Sequence, residues 1–468
     1  MTYCEKKVYF LVLVIFISQL SDFLSAFLVS KYSRLYPLCG VLELSPDNDS
    51  PFGMEAIRKE DFPILFRDVH SSKPLIYLDS AASSHKPKYV LNKMDEYYLT
   101  SHSNVHRGAH ALANKATTLY ECARTSVQAF INAKHREEIV FTRGATDAIN
   151  IVAQGFSLPG PFQLQPGDEI ILSVAEHHSN LVPWQMTASK TGAVLKFVQL
   201  TQDMQLDMDH YRSLLSSRTK IVALSHASNV LGVVQPVRDI IQAAHSVGAR
   251  VLLDSCQAVP HMAVDVQQLE VDFLVASSHK MCGPTGIGFL YGRLELLNSL
   301  PPSAGGGEMI DTVELYSSTY ASSPSRFEAG TPPIAEAVGL GAACEYLSAI
   351  GMDKVEQHDA QLGRYLYEQL REVGGLELYG PDPRTDGVSR TGLVAFNAKS
   401  VHSADLSFFL DQEGVAVRTG HHCTQPLHKI LGVPGGSVRA SLYFYNDKSD
   451  VDKFIEKLKD TLYMFETM

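Results

Sequence analysis

Phe273–Gly288 reads FLVASSHKMCGPTGIG, and about two dozen residues before its lysine Val251–Ala258 reads VLLDSCQA. Each stretch opens as a short apolar, β-rich run and closes in small polar residues. A short run that is apolar at every position is a strand buried on both faces, the signature of a parallel sheet. Each strand then delivers a polar side chain at its C-terminal end, Asp254 from one and Lys280 from the other. Taken alone, the pair is equally well read as a helix-capping aspartate and a surface lysine. The surrounding sequence decides between these.

Outward from this pair, short apolar runs alternate with helix-length amphipathic stretches. Strands are expected at Ile76–Leu78, Glu138–Thr142, Glu169–Ser173, Val194–Val198, Lys220–Leu224, Arg250–Leu253, Phe273–Ala276 and Gly288–Tyr291. Leu112–Ala133, Thr146–Phe156 and Val237–Val247 read as helices between them. Such alternation predicts an α/β fold with a large, mainly parallel sheet and right-handed crossovers. Past Leu347 the texture changes. A helix over Lys354–Val373 precedes strands near Gly392–Asn397, Gly414–Arg418 and Ser437–Phe444, and a helix over Ser449–Phe465 ends the chain. This predicts a large domain over 54–346, with an N-terminal arm, and a smaller α+β domain over 347–468.

The chain has 468 residues, 45% hydrophobic and 19% charged, with a formal net charge of -11. That is globular composition, and without a basic patch it argues against a nucleic-acid partner. The seven cysteines stand at 4, 39, 122, 256, 282, 344 and 423 with no CxxC pair, so no metal site is expected. Reduced thiols are the simplest reading. The first residues have a leader layout: Lys6 and Lys7, then the apolar run Val8–Ile17, then small residues to Ser25-Ala26. The run is short for a membrane span. Residues 27–53 begin at Phe27 with basic and hydroxyl residues and no acid as far as Leu42, then pass into the linker LSPDNDSP (44–51). The reading is a signal peptide over 1–26 and a transit peptide with linker over 27–53, and no membrane segment in the mature form. A plain secretory signal or another organelle is the alternative.

Several short stretches carry chemistry. Thr142–Thr146 (TRGAT) leaves a strand and opens a helix, where backbone N–H groups and the Thr146 hydroxyl favour a phosphate. Ser277, Ser278 and His279 could add donors. His177, at the end of another strand, could stack on a cofactor ring and move protons, whereas His178 reads as structural and Trp184 as packing. Asp254 and Gln257 leave one strand end with Cys256, a small buried filler, between them. Arg418–Cys423 (RTGHHC) puts a cysteine in a Gly-containing loop beside an arginine and two histidines, and cationic neighbours favour the nucleophilic thiolate. Arg439, in a β-rich run, suits a carboxylate or an ordinary salt bridge. A lysine with an acid from adjacent strand ends is what pyridoxal phosphate requires: an amine to hold it covalently and an acid to keep its ring nitrogen protonated.

Together DSAASSHKP, NVHRGAH, FTRGATDAIN, EHHSNLVPWQ, SHASNVLG, DSCQAVPH, ASSHKMCGPTGIGFLYG, GGGEMI, RFEAGTP, RTGHHCTQPLH and RASLYFYN run from about Asp79 to Asn446. The set resembles the fold-type I, class V aminotransferase-like enzymes, and within them the SufS-type cysteine desulfurases, especially the plastid form. The resemblance implies that pyridoxal 5'-phosphate is held by Lys280, with Asp254 on the ring nitrogen, Gln257 on the phenolic oxygen and His177 over the ring. It implies Ala145, Thr146, Ser277 and His279 on the phosphate, joined by Thr331 reaching from a partner subunit, hence a homodimer. Asn229, Arg418 and Arg439 would hold the carboxylate of L-cysteine, and Cys423 would take its sulfur as a persulfide. The short RTGHHC loop implies a separate SufE-type sulfur acceptor serving a SUF scaffold for iron–sulfur cluster assembly. A leader of two parts with Phe at the junction resembles those of complex plastids. A selenocysteine lyase and a silent scaffold of a sulfur-transfer complex are the other readings.

Overall fold

The computed structural model describes residues 59–70 and 72–467. The expected leader segments, 1–26 and 27–53, lie outside the described residues. Seven strands make the main sheet: β1 (Ile139–Thr142), β2 (Glu169–Ser173), β3 (Val194–Val198), β4 (Thr219–Ser225), β5 (Arg250–Asp254), β6 (Phe273–Ser277) and β7 (Gly288–Gly292). Their order is β1-β7-β6-β5-β4-β2-β3. Strand β7 runs antiparallel to β1 and β6, and the remaining neighbours are parallel.

Successive residues of these strands enter opposite cores. Phe141, Val222, Leu224, Val251, Leu253, Leu274 and Phe289 pack on one side, and Val140, Ile221, Ala223, Leu252, Phe273, Val275 and Leu290 on the other. Burial on both faces is why the strands read as unbroken apolar runs. The sheet is flanked by α1 (Lys88–Thr100), α2 (Ala111–Phe130), α3 (Ala145–Gly155), α4 (Val182–Thr191), α5 (Val237–Ser246) and α6 (Ile334–Ile350). Helices α3 and α4 feed the second core and the others the first.

A second sheet follows α7 (Met352–Glu372): β8 (Leu376–Tyr379), β9 (Leu393–Ala398), β10 (Arg418–Gly420) and β11 (Ser437–Ser441), antiparallel throughout in the order β8-β9-β11-β10. It packs on α7, α8 (Ser403–Gln412) and α10 (Lys448–Thr467) through Leu366, Phe396, Leu406, Val438 and Phe454. The strand expected over Gly414–Arg418 divides in two. Val415–Ala416 pairs in parallel with Ile76–Tyr77, and Arg418 starts β10. The cause is the incoming chain: Ile76 N–H donates to Gly414 O and Leu78 N–H to Ala416 O, both at 2.9 Å. That pairing brings Asp79 against the second sheet. Among the described residues no single helix is long and apolar enough to cross a membrane.

Candidate active site

Parallel strands release their chains at one edge of the sheet, so β2, β4, β5 and β6 end side by side. A cavity of about 210 Å³ opens there against the second sheet. Lining it are Ala145, Thr146, His177, Asn229, Asp254, Gln257, Ser277, His279, Lys280, Arg418, Cys423 and Arg439, all expected from the sequence. Thr331 does not line it and is exposed. A larger opening of about 300 Å³ beside Tyr379, Asn397, Lys399 and His402 gathers none of these residues.

One wall is an anion cradle at the start of α3. Gly288 lets it form, because a Cβ there would stand 2.4 Å from Ala276 O and 2.8 Å from Gly144 Cα. The Ala145 N–H, expected to face a phosphate, instead donates to Ser277 Oγ at 2.9 Å. The Ser277 hydroxyl accepts that bond and keeps its own hydrogen to offer. Thr146 Oγ1 lies 2.7 Å from Ser179 Oγ, which leaves one O–H of the pair free. His279 lies beside them with its ring pushed down to about 4, by burial first and then by Lys280. The turn Ser278–Lys280 is clamped from outside by DSAASSHKP: Ser83 and Ser84 hydroxyls donate to His279 O at 3.1 and 3.2 Å, and Cys282 N–H donates to Ser84 Oγ at 2.8 Å.

The facing wall carries the imidazole. Burial, then the Lys280 charge, holds His177 down to about 4, so its ring is neutral at neutral pH. Its Nδ1 accepts from Ser179 N–H at 3.1 Å, which leaves Nε2 to carry the hydrogen. Behind it Glu176 is buried with its carboxyl pushed up to about 7 by burial. Ser173 Oγ and Asn180 Nδ2 bond that carboxyl at 2.5 and 2.8 Å, and Trp184 Nε1 donates to Asn180 Oδ1 at 3.1 Å. Trp184 therefore packs, as expected, and also fixes the shell behind His177. Asp254 is buried at the end of β5 and accepts the Cys256 N–H at 3.1 Å. Burial and the Asp254 charge push the Cys256 thiol up, which makes it a filler and no nucleophile.

Two arginines close the cavity, and sequence reasoning missed the acid that joins them. Arg418 Nε lies 3.2 Å from both Asp79 oxygens, and Arg439 Nη2 lies 3.4 Å from Oδ1. Arg439 is fully buried, donates Nη1 to Asn229 O at 3.0 Å, and keeps Nε without a partner. The signal for Asp79 was present in DSAASSHKP, but its partners come from β10 and β11, more than three hundred positions away.

Cys423 is exposed, in the loop between β10 and α9 (Gln425–Ile430). His422 and Cys423 both take left-handed backbone, φ +48 and +58, at about 1–2 kcal/mol each. Gly436 makes room for the loop: at φ +98 its Cβ would stand 2.6 Å from the Gly420 carbonyl carbon. The two strained residues are pinned through their carbonyls. Asn229 Nδ2 donates to His422 O at 2.8 Å and His178 N–H donates to Cys423 O at 2.7 Å. Asn229, expected on a substrate carboxylate, thus also supports the loop. His422 is not the cationic neighbour the sequence suggested. Burial, then Arg439, drives its ring down to about 2, so the positive charge near the thiol comes from the arginines.

These residues fit pyridoxal phosphate. Ser277, Thr146 and the start of α3 form a hydroxyl-lined anion cradle, a buried carboxylate stands at the end of β5, and Lys280 lies in the same cavity. Gln257 donates Nε2 to Ala81 O at 2.8 Å and leaves Oε1 buried without a partner, so the amide has unused capacity on the cavity wall. Ala81, Ala82, Ser179, Ser225, Ala227, Cys256 and His422 also line the cavity without having been singled out as site residues. Most are small, and small residues give no signal in a single sequence.

Residues 76–454 match the family profile of class-V aminotransferases. A Synechocystis sp. protein described as "Probable cysteine desulfurase" is 50% identical over 412 residues, covering 88% of this chain and 96% of the relative. The "Cysteine desulfurase" of Haloferax volcanii is 45% identical over 420 residues, 87% and 96% of the two chains. Among solved structures, the Escherichia coli cysteine desulfurase CsdA aligns with a TM-score of 0.80 at 39% identity, over 89% of this chain and all of that one.

Proposed function

The chain belongs to the class-V aminotransferase family, and from that premise we propose that it is a pyridoxal-phosphate-dependent cysteine desulfurase. One observation carries the reading: Lys280, Asp254, His177 and an exposed Cys423 share one cavity with Arg439, which has an unpartnered Nε. The cofactor supplies an electron sink that loosens the Cα proton and the Cβ–S bond of the substrate. Lys280 would hold it and move the proton at Cα. Asp254 would keep the ring nitrogen charged. His177, neutral and with a hydrogen on Nε2, would face the ring and relay a proton at the substrate thiol. Arg439 orients the L-cysteine carboxylate, with Arg418 and Asn229 beside it. The Cys423 thiolate attacks the substrate sulfur; the S–S bond forms as Cβ–S breaks, and carbon takes up a proton. The products are a Cys423 persulfide and L-alanine.

The finer reading is a SufS-type enzyme that hands its sulfur to a SufE-type acceptor for iron–sulfur cluster assembly on a SUF scaffold. Its support is the length and anchoring of the cysteine loop. Only His421–Thr424 separate β10 from α9, and the loop is pinned by Asn229 and His178, so an acceptor has to come to the thiol. A homodimer is supported by the hairpin Ile310–Val313/Ser318–Tyr320, whose tip exposes Leu315 at 93% and Tyr316 at 99%. Apolar side chains that exposed mark a protein contact. With Thr331 exposed in RFEAGTP, the partner subunit is its proposed destination. The composition of 1–53 supports delivery to a complex plastid. The test is alanine release from L-cysteine by the protein loaded with pyridoxal phosphate, with and without a SufE-type acceptor. Alanine made faster with acceptor is expected. Release only from selenocysteine would move the reading to a lyase, and failure to bind the cofactor would end it.

A further inference from the structure

We propose that His178 is a positioning residue that grips the loop at Cys423 and at Gln425 just after it, and sets the thiol at the cavity mouth. The proposal rests on Cys423 being the sulfur-accepting thiol. Besides Thr424, whose N–H and Oγ1 both donate to His421 O at 2.8 Å, the loop carries two consecutive left-handed residues, His422 and Cys423, after Gly420 at φ +111. His178 opens the short 3-10 turn His178–Asn180, five residues past the end of β2 in the main sheet. Its backbone N–H donates to Cys423 O at 2.7 Å, and its Nε2 accepts the Gln425 N–H at 3.1 Å. One residue of the main-sheet side therefore holds the residue that carries the thiol and the first residue of α9. Asn229, four residues past the end of β4, holds His422 O, so segments leaving the main sheet fix the loop at His422, Cys423 and Gln425.

The side-chain grip has a protonation requirement. An Nε2 that accepts from a backbone N–H has no hydrogen, so the ring is neutral with its hydrogen on Nδ1. Partial burial, helped by the neighbouring His421, lowers the tendency of His178 to take a proton. His177 precedes it in the chain, with ring centroids 6.4 Å apart, and is neutral for its own reasons. The grip is intact at neutral pH and opens when acid protonates Nε2, which then turns from acceptor to donor.

The test uses the holoenzyme with His178→Ala and His178→Gln. Glutamine places an amide oxygen near the Nε2 position and does not titrate. For His178→Ala the expected result is a kcat lower by on the order of tenfold to a hundredfold, the cost of a displaced reacting atom. KM for L-cysteine and the absorbance of the bound cofactor stay unchanged. His178→Gln is expected to restore most of kcat and to flatten the fall of kcat below neutral pH expected of the wild type. Alkylation of Cys423 by iodoacetamide, followed by peptide mass, is expected to change in rate in His178→Ala and to match wild type in His178→Gln. That readout needs no turnover, so it still reports on the loop if the enzyme makes no alanine and the desulfurase reading fails. Wild-type kcat and alkylation in His178→Ala, or a His178→Gln variant as impaired as His178→Ala, would overturn the proposal.

Discussion

Lys280 and Cys423 face one cavity, yet the lysine sits on a turn with its own local bonds and an outer clamp from Ser83 and Ser84, whereas the cysteine sits on left-handed backbone held by residues far away in the chain. Lys280 ends a turn that follows β6, a strand laddered between β5 and β7. Ser278 N–H bonds Ile287 O, and Met281 and Gly283 N–H both return to Ser278 O, all within a dozen residues. The Cys423 loop bonds Asn229 and His178, with sequence separations of 193 and 247 for the Asn229–His422 and His178–Gln425 bonds. A chemical anchor for the cofactor thus sits on a turn held both by its own bonds and by the Ser83–Ser84 clamp. The thiol that must meet a substrate and then an acceptor sits on strained backbone that other elements hold in place.

Removing each group is the largest test of that contrast. Lys280→Ala is expected to lose both the bound-cofactor absorbance and all alanine formation. Cys423→Ala should keep the absorbance and lose turnover of L-cysteine by orders of magnitude, since the other free cysteines among the described residues, Cys256, Cys282 and Cys344, are all buried. Steady-state alanine assays beside absorbance spectra separate the two. Full turnover in Cys423→Ala would remove the thiol from the reaction, and an unchanged cofactor band in Lys280→Ala would remove the lysine.

The lysine side also leans on a buried ion pair at the sheet edge. Arg124, fully buried on α2, bonds Glu328 through Nη1 at 2.7 Å and Nη2 at 2.9 Å. Glu328 also takes the Tyr120 hydroxyl at 2.9 Å and the Phe141 N–H of β1 at 2.7 Å. Glu328→Ala leaves the buried guanidinium with Glu121 and Ile139 O alone and a strand N–H unsatisfied, an expected loss of about 1–3 kcal/mol. Urea unfolding measures it. A loss under about 1 kcal/mol, the scale of a surface pair, would mean that this edge of the sheet does not depend on the acid.

The same contrast explains what the sequence let a reader see. The seven main-sheet strands fall within a residue or so of expectation, because burial on both faces writes itself as an apolar run in all but the half-buried edge strand β3. Helix α6 escaped notice for the opposite reason: Ile334–Leu347 is buried nearly all round, so no polar face marks a 3.6-residue period. Helix α4, with little difference between its faces, escaped as well. Of the site, Lys280, Asp254 and His177 were legible as polar residues ending strands. The Asp79–Arg418–Arg439 cluster and the grip of His178 were not, because pairing between distant segments leaves no local pattern.

Acid should probe both walls together. Burial holds His85, His177, His226 and His279 down to about 4, and His422 to about 2. An unfolded histidine binds its proton near pH 6.5. Between about 6.5 and 4 the unfolded chain therefore carries more protons than the folded one, and stability falls as pH falls. Their contribution is whole above 6.5. Glu176, raised to about 7, has the opposite sign: its contribution is present below the ordinary carboxylate range and is lost as pH rises through 7. Five imidazoles outweigh one carboxyl. The expected outcome is a urea midpoint that drops steadily from pH 7 to pH 5. A flat or rising midpoint over that range would show that these rings are not held neutral.

The smallest expected effect asks what the cysteine loop contributes by itself. Gly420 has φ +111 and open space where a Cβ would go, whereas Gly436 has φ +98 and the backbone of Gly420 within 2.6 Å of that position. Gly420→Ala therefore adds backbone strain alone, about 1–2 kcal/mol, and Gly436→Ala adds a backbone clash to it. If distant residues hold the thiol, Gly420→Ala should lower the unfolding midpoint slightly and leave kcat within a few-fold of wild type, because Asn229 and His178 still fix the two carbonyls. Gly436→Ala should move both quantities further, since it pushes the two limbs of the loop apart. The revealing failure is a Gly420→Ala enzyme with wild-type stability and no turnover. The loop would then set the thiol through its own backbone rather than through Asn229 and His178.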